Sequence, residues 1–264
     1  MSDAPELPSY KNPPVIEVAY GVAFNALERL RAPHTGLFWS MIRDEFPKVT
    51  HAAPVGPIPT EIDFGTLPLP RIWYISKDEN FLVQLQSNRF LFNWRIIRPD
   101  DEYPRFEVVQ SGFQKNFALF EEFIDSAGLG ELDLQTYELT YINHVERTGR
   151  FEDLRYVSSL FPDLRWRTPT NRYLPIPSHL TWSVGFEFGK KGRLVADLKP
   201  AYRRSDKREL FVFELKATGN ATAEGNENAN AWFEQAREWI VCGFADLTSE
   251  KAQSDLWGLD NSNG

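Results

Sequence analysis

Two related segments, IEVAY at Ile16–Tyr20 and YELTY at Tyr137–Tyr141, decide the predicted fold. They share Glu at the second place and Tyr at the fifth, and each leads into a helical pattern. Those patterns end at Phe46–Pro47 and Phe161–Pro162, since a proline after the last turn stops a helix. Landmarks that recur in the same order predict an internal duplication.

The landmarks continue through both halves of the 264-residue chain. Strand candidates at Phe81–Val83 and Arg89–Phe92 have counterparts at Arg193–Val195 and Arg208–Phe211. Each half then closes with a long amphipathic pattern, which is typical of a helix that buries one face. Its apolar positions are Phe106, Val109, Phe113, Phe117, Phe120 and Ile124 in the first half and Phe233, Ala236, Ile240, Phe244 and Leu247 in the second.

These elements predict an α+β fold built as a tandem duplication of a βαβββα unit. Short connections such as Ser87–Asn88 and Lys190–Gly192 suit hairpins, so we expect antiparallel sheets with the helices on one face. Residues 1–128 form the first predicted repeat and residues 129–264 the second, and the two are expected to pack as one pseudo-twofold domain.

The alternation of side chains along a strand separates a core face from a polar face. Val18, Tyr20 and Val22 share the predicted core face, while Glu17 and its counterpart Glu138 face away. Two carboxylates at matching places need a cation, a proton or a basic partner. We therefore predict a ligand groove, whose candidate residues are Glu17, Glu138, Thr140 and His144, with Arg95 and Lys199 as basic partners. The alternative is the ordinary solvated side of a half-buried antiparallel sheet.

Familiar catalytic and cofactor motifs are missing from the sequence. It contains no GxGxxG fingerprint or other glycine-rich phosphate loop, and no GxSxG nucleophile motif. The four histidines are scattered, without the close pairing or the cysteine neighbours of metal sites. We therefore expect no catalytic residue, no metal site and no cofactor.

Charge and hydropathy narrow the range of partners. A formal net charge of −8 repels phosphate backbones, which argues against nucleic acid as a partner. No apolar run is long enough to span a bilayer, and the opening residues have neither the basic start nor the apolar run of a secretion signal. We expect a cytoplasmic protein that meets a small ligand or a protein partner, with a homodimer among the assemblies left open.

The opening KNPPVIEV at Lys11–Val18, followed by GLFW at Gly36–Trp39 and by Phe46–Pro47, resembles a sporadically distributed prokaryotic protein family with an N-terminal NPPVxEV motif. The resemblance covers essentially the whole chain. It implies no activity and no catalytic residues, and its sporadic distribution implies a role in phage defence or toxin–antitoxin modules. The predicted topology also resembles the duplicated folds of TATA-binding-protein-like, haem-binding SOUL-type and gyrase-inhibitor-like proteins. In the gyrase-inhibitor-like fold a groove Glu commonly meets cationic ligands, which implies ligand sensing by analogy.

Three functions are compatible with these observations. The first is a non-enzymatic binding protein that holds a small ligand or a partner segment on the polar sheet face or in a groove between the repeats, with Glu17 and Glu138 as anchors. The second is an interaction subunit of a defence or toxin–antitoxin module, which a conspicuous apolar surface patch would favour. The third is a metal-dependent enzyme that uses the paired carboxylates.

Overall fold

The computed structural model describes residues 7–54, 69–147, 154–166, 172–203, 206–223, 226 and 228–259. The chain divides into two compact units. The N-terminal unit contains residues 17–139 and 219–229, and the C-terminal unit contains residues 1–16, 140–218 and 230–264. The fold is α+β with a large antiparallel sheet, as predicted. The duplication and the boundary after residue 128 stay predictions.

The described helices and strands follow a regular order along the chain. They are β1 Val15–Phe24, α1 Ala32–Ile42, β2 Lys48–Ala52, β3 Arg71–Ile75, β4 Phe81–Gln86, β5 Arg89–Arg95, α2 Phe106–Ser126, β6 Leu134–Glu146, β7 Trp182–Glu187, β8 Arg193–Tyr202, β9 Glu209–Asn220, α3 Ala229–Leu247 and α4 Glu250–Trp257. The strand order in the sheet is β2-β3-β4-β5-β1-β6-β9-β8-β7. Consecutive strands pair antiparallel from β2 to β5 and from β7 to β9. No helix in the described part of the chain is long and apolar enough to cross a membrane.

The N-terminal unit has one strand more than the predicted βαβββα pattern. This strand, β2, pairs antiparallel with β3 and places Val49 opposite Tyr74. Four of its five residues are exposed, so it offers no buried apolar position for a hydropathy pattern to reveal. Backbone pairing alone identifies it as an edge strand.

The helix predicted after the second copy of the repeated segment is a 3-10 helix, Leu154–Ser159, in the part of the chain that the structure describes. Residues 148–153, where that prediction begins, lie outside the described residues. Phe161 follows the 3-10 helix and packs edge to face against Phe211 and Phe213 of β9. The Phe-Pro pair therefore ends a helical element, as predicted, but not an α-helix.

Aromatic side chains on one face of the sheet form the core of the N-terminal unit. Tyr20 of β1 stacks on Phe113 of α2 with ring centroids 5.4 Å apart, and Phe24 packs against Phe120. Phe38 of α1 meets Phe120 edge to face at 5.5 Å. Each fully buried phenylalanine contributes roughly 1.5–3 kcal/mol, so the apolar stripe of α2 accounts for much of what holds this face together.

The C-terminal unit has an aromatic core of its own. Phe244 of α3 packs against Phe213 of β9 and against Trp257 of α4. Tyr10 meets Trp257 edge to face with centroids 6.2 Å apart. The polar sequence after Ser249 predicts a mobile tail in which Trp257 docks back. Trp257 is buried, in agreement with that docking, but the segment Glu250–Trp257 is an α-helix.

Candidate functional site

The face of the N-terminal sheet that points away from α1 and α2 is polar. On β3, the hydroxyl of Tyr74 donates a 2.8 Å hydrogen bond to the Thr35 carbonyl oxygen of α1. Because side chains alternate, Arg71 and Trp73 lie on the opposite side of the strand. The buried Leu82, Gln86 and Leu91 lie on this opposite side too. We use the name buried polar face for its residues Glu17, Arg71, Trp73, Gln84, Arg89, Asn93, Arg95 and Glu138.

Several of these polar side chains are shielded from solvent. Asn93 is 3% exposed, Gln84 4% and Glu138 6%. An ordinary solvated sheet face leaves such groups in water, and in the C-terminal unit the predicted polar residues Ser183 and Lys199 are indeed exposed. The solvated alternative therefore fits the C-terminal unit but not the N-terminal one.

A chain of hydrogen bonds orders the centre of the buried polar face. Gln84 Nε2 donates to Asn93 Oδ1 at 2.7 Å, and Asn93 Nδ2 donates to Glu17 Oε1 at 2.6 Å. These residues lie on β4, β5 and β1, which are neighbours in the sheet. One network therefore links three strands and fixes how each side chain is turned.

Two guanidinium groups lie over the indole ring of Trp73. The Cζ atom of Arg71 is 5.3 Å from the ring centroid and that of Arg95 is 5.5 Å away, which is within the range of cation–π attraction. Trp73 is paired in register with Gln84 of β4. The Gln84 end of the hydrogen-bond chain is thus bordered by a positively charged aromatic cluster.

A buried ion pair lies on the same face. Arg89 Nη1 is 3.0 Å from Glu138 Oε1, and both side chains are largely buried. Gly21 of β1 lies next to Glu138: a Cβ atom at Gly21 would be in ordinary van der Waals contact with the Cβ atom of Glu138, at 3.5 Å. The Glu138 carboxylate is therefore neutralised by a residue of its own unit.

The positive charge of Arg71 is poorly compensated. Burial lowers the pKa of the Arg71 guanidinium; the nearby Glu17 carboxylate raises that pKa, and the charge of Arg89 lowers it further. Loss of hydration is the largest of these effects, so the cation would be stabilised by additional negative charge.

Four buried atoms of this face have no hydrogen-bond partner among the described residues. They are Arg71 Nε, Trp73 Nε1, Gln84 Oε1 and Arg89 Nε. A buried donor or acceptor without a partner costs about 1–3 kcal/mol, and native proteins seldom leave several of them together. A cluster of this kind is what a site for a polar ligand presents.

Three of the six residues predicted to bind a ligand lie on the buried polar face, namely Glu17, Glu138 and Arg95. Glu17 and Arg95 are opposite each other in the pairing of β1 with β5. Arg95 does not pair with Glu138, whose partner is Arg89. The sequence predicted that the two carboxylates need a cation, a proton or a basic partner. Glu138 has Arg89 as an ionic partner, and Glu17 accepts a hydrogen bond from Asn93.

The other three predicted residues, Thr140, His144 and Lys199, belong to the C-terminal unit. His144 is half-buried, and burial lowers its pKa; the charge of Arg203 lowers it as well, while Glu146 raises it. Lys199 is exposed on β8. Within their unit these residues do not form a cluster of buried polar groups like the one around Gln84.

Sequence reasoning missed Arg71, Trp73 and Arg89 as site residues. Arg89 has the same alternation as Asn93 on β5, so the face rule would have included it. Strand β3 is only five residues long and comes directly after the proline at position 70. A short strand beside a proline-rich stretch gives little periodicity to read.

A separate cleft of about 420 Å³ lies in the C-terminal unit. Arg147 and Glu209 are on its wall and pair with each other, Nη1 to Oε2, at 2.7 Å. The rest of its wall is mixed: Leu154, Ile176 and Pro177 are apolar, and Ser178, His179 and Tyr202 are polar.

Metal binding finds no support in the described part of the chain, where no group of three or more His, Cys, Asp or Glu side chains could hold an ion. A comparison of the sequence with protein-family models found no match. A comparison with curated proteins found none either. Any conclusion about function therefore rests on the geometry of the buried polar face.

Proposed function

We propose that this chain is a non-enzymatic binding protein that holds a small ligand on the buried polar face of its N-terminal unit. One observation carries the proposal: Gln84 Oε1 is buried without a hydrogen-bond partner among the described residues, beside the equally unpartnered Trp73 Nε1 and Arg71 Nε. A ligand that supplied the missing partners would recover the free energy that these groups lost on leaving water.

The chemistry of the face favours binding over catalysis. Its side chains are guanidinium, indole, amide and carboxylate groups, none of which is a serine, cysteine or threonine nucleophile. The Glu138 carboxylate is held by Arg89, and the Glu17 carboxylate accepts from Asn93. Carboxylates that are already engaged are poor candidates for proton transfer or for metal ligation.

Native mass spectrometry on protein purified gently from its own host tests the proposal. We expect a retained small molecule on the wild-type chain. Trp73→Phe removes one unpartnered donor while keeping an aromatic ring, so it should reduce retention.

Trp166→Phe is the matched control. Trp166 Nε1 is also buried without a partner among the described residues, and Arg172 lies over its ring at 5.6 Å, but Trp166 belongs to the C-terminal unit. Retention should be unchanged in this variant. Wild-type protein that carries no small molecule, or equal losses in both variants, would contradict the proposal.

A second candidate function is that of an interaction subunit, which is supported by apolar side chains exposed on the surface. The segment Tyr173–Pro177 exposes three large apolar side chains: Tyr173 is 97% exposed, Leu174 61% and Ile176 46%. Exposed apolar groups in series are typical of protein contact sites. In the same native spectra, a retained protein lost in Leu174→Asp would favour this function.

The internal duplication is proposed together with the binding function. In support, the element order β1, α1, β3, β4, β5, α2 is matched by β6, a 3-10 helix, β7, β8, β9, α3. Each series contains an antiparallel three-stranded meander and closes with a long helix.

A further inference from the structure

Most of the unpartnered atoms of the buried polar face are hydrogen-bond donors. Arg71 Nε, Trp73 Nε1 and Arg89 Nε are all hydrogen-bond donors. Gln84 Oε1 is the acceptor among them. A ligand that satisfies this set must offer several acceptor atoms and one donor.

The orientation of Gln84 follows from its neighbours along the hydrogen-bond chain. A carboxylate oxygen of Glu17 only accepts, so Asn93 must turn Nδ2 toward it. Asn93 then presents Oδ1 to β4, and Gln84 must turn Nε2 toward that oxygen. The amide oxygen of Gln84 is consequently left facing the other way, as a buried acceptor.

The charges of the buried polar face also favour a ligand that accepts hydrogen bonds. Its ionised groups are the guanidiniums of Arg71, Arg89 and Arg95 and the carboxylates of Glu17 and Glu138. Arg89 and Glu138 form an ion pair, which leaves Arg71 and Arg95 with Glu17 on this face. The charge of Arg95 also acts on the Glu79 carboxylate, so Arg71 is the less compensated of the two. Burial lowers the pKa of the Arg71 guanidinium, and a nearby anion would raise that pKa again.

We propose that the ligand of this face is a small oxyanion that also carries a hydroxyl proton, either a phosphate in a protonated form or a hydroxycarboxylate. This inference rests on the proposed binding function and names its ligand class. The oxyanion accepts from Arg71 Nε and Trp73 Nε1 and donates its hydroxyl proton to Gln84 Oε1. Charge-assisted bonds from guanidinium to oxyanion are among the strongest hydrogen bonds in proteins.

The indole N–H resonance of Trp73 reports on this site directly. It is assigned by its loss in Trp73→Phe, and ¹⁵N-labelled protein is titrated at constant ionic strength with inorganic phosphate, glycolate, sulfate and putrescine. We expect a saturable shift with phosphate or glycolate, and a weaker response to sulfate, which has no hydroxyl proton at neutral pH. Whichever of phosphate and glycolate binds more tightly identifies the phosphoryl or the carboxylate source.

A pair of arginine variants controls for general charge effects. Arg71→Gln should weaken binding of the better probe by at least about tenfold. Arg98→Gln changes an exposed arginine of the same unit, which lies 3.9 Å from the Asp101 carboxylate, and should leave binding unchanged. If Arg71→Gln does not fold, the probe should still raise the melting temperature of wild-type protein more than that of Trp73→Phe.

The outcomes separate this inference from the function on which it rests. A saturable shift with putrescine and none with the anions would overturn the oxyanion assignment while leaving a ligand site on this face. Retention of a neutral or cationic molecule in native spectra would do the same. If no probe gives a saturable shift and native spectra show protein without a retained molecule, both the oxyanion assignment and the proposed binding function are contradicted.

Discussion

Asn93 Nδ2 donates to Glu17 Oε1 at 2.6 Å across neighbouring strands, although the two residues are not opposite each other in the sheet. In the register of β1 with β5, Glu17 is opposite Arg95 and Asn93 is opposite Ala19. The small side chain of Ala19 leaves room for the diagonal bond. Asn93 thereby becomes the middle of a network that also holds Gln84.

Asn93→Leu should therefore destabilise the protein beyond the loss of one hydrogen bond. It leaves both the Glu17 carboxylate and the Gln84 amide short of a partner, at about 1–3 kcal/mol for each group. The free energy of unfolding in urea measures the effect. Asn116→Leu in α2 is the control, because the buried Asn116 side chain has one hydrogen bond, from Nδ2 to the Gly112 carbonyl oxygen. Equal losses in the two variants would show that the network adds nothing.

The ion pair between Arg89 and Glu138 gives a second prediction. Removing one partner of a buried pair leaves an uncompensated charge, so Arg89→Met should cost about 3–5 kcal/mol of unfolding free energy. The double variant Arg89→Met with Glu138→Leu should recover much of that loss, because no buried charge remains. The solvent-exposed pair of Lys48 and Glu79 provides the comparison, and Lys48→Met should cost much less than Arg89→Met, because water screens exposed charges. A double variant as unstable as the single one would contradict this account.

Strand alternation predicted Glu17, Glu138 and Arg95 as residues of a polar face, but it did not predict that this face is buried. Gln84 and Asn93 have the polar parity that the sequence reveals. Their burial is not readable from periodicity, because the same alternation describes a solvated sheet side. The partner of each charged residue could not be predicted from the sequence either. Arg89 and Glu138 are far apart in the sequence, and whether two such residues pair depends on strand register and tertiary packing.

Strand β2 and the helices show which secondary-structure elements can be predicted from hydropathy periodicity and which cannot. Long amphipathic helices such as α2 were predicted because their apolar residues recur with helical spacing. Strand β2 was not, since its residues are largely exposed and only backbone pairing defines it. The 3-10 form of Leu154–Ser159 was also missed, because apolar spacing over one or two turns does not separate 3-10 from α geometry.

The packing of α2 on the sheet can be tested with two glycines. A Cβ atom on Gly112 would lie 2.5 Å from Cζ of Phe92, and Phe92 is held by stacking on Phe81. Gly112→Ala should therefore destabilise by about 1–3 kcal/mol through overpacking. Gly36 lies in α1 with open space around its Cβ position, so Gly36→Ala should stabilise by about 0.5–1 kcal/mol through helix propensity. Thermal and urea unfolding measure both, and the same sign in both variants would contradict the close contact of α2 with Phe92.

The half-buried imidazole of His144 predicts how stability depends on pH. Burial, and then the charge of Arg203, lower the pKa of His144 from its ordinary value of 6.5, while Glu146 raises it. The unfolded chain therefore binds a proton at His144 more readily than the folded chain does. The stability contributed by the neutral imidazole is fully present above pH 6.5 and is lost as the pH falls through the lower pKa of the folded state. Side-chain NMR titration, with the signal assigned by His144→Gln, should give a pKa below 6.5. The same variant should flatten the decline of unfolding free energy in that window. A titration midpoint at or above 6.5 would show that Glu146 outweighs burial and Arg203 at this site.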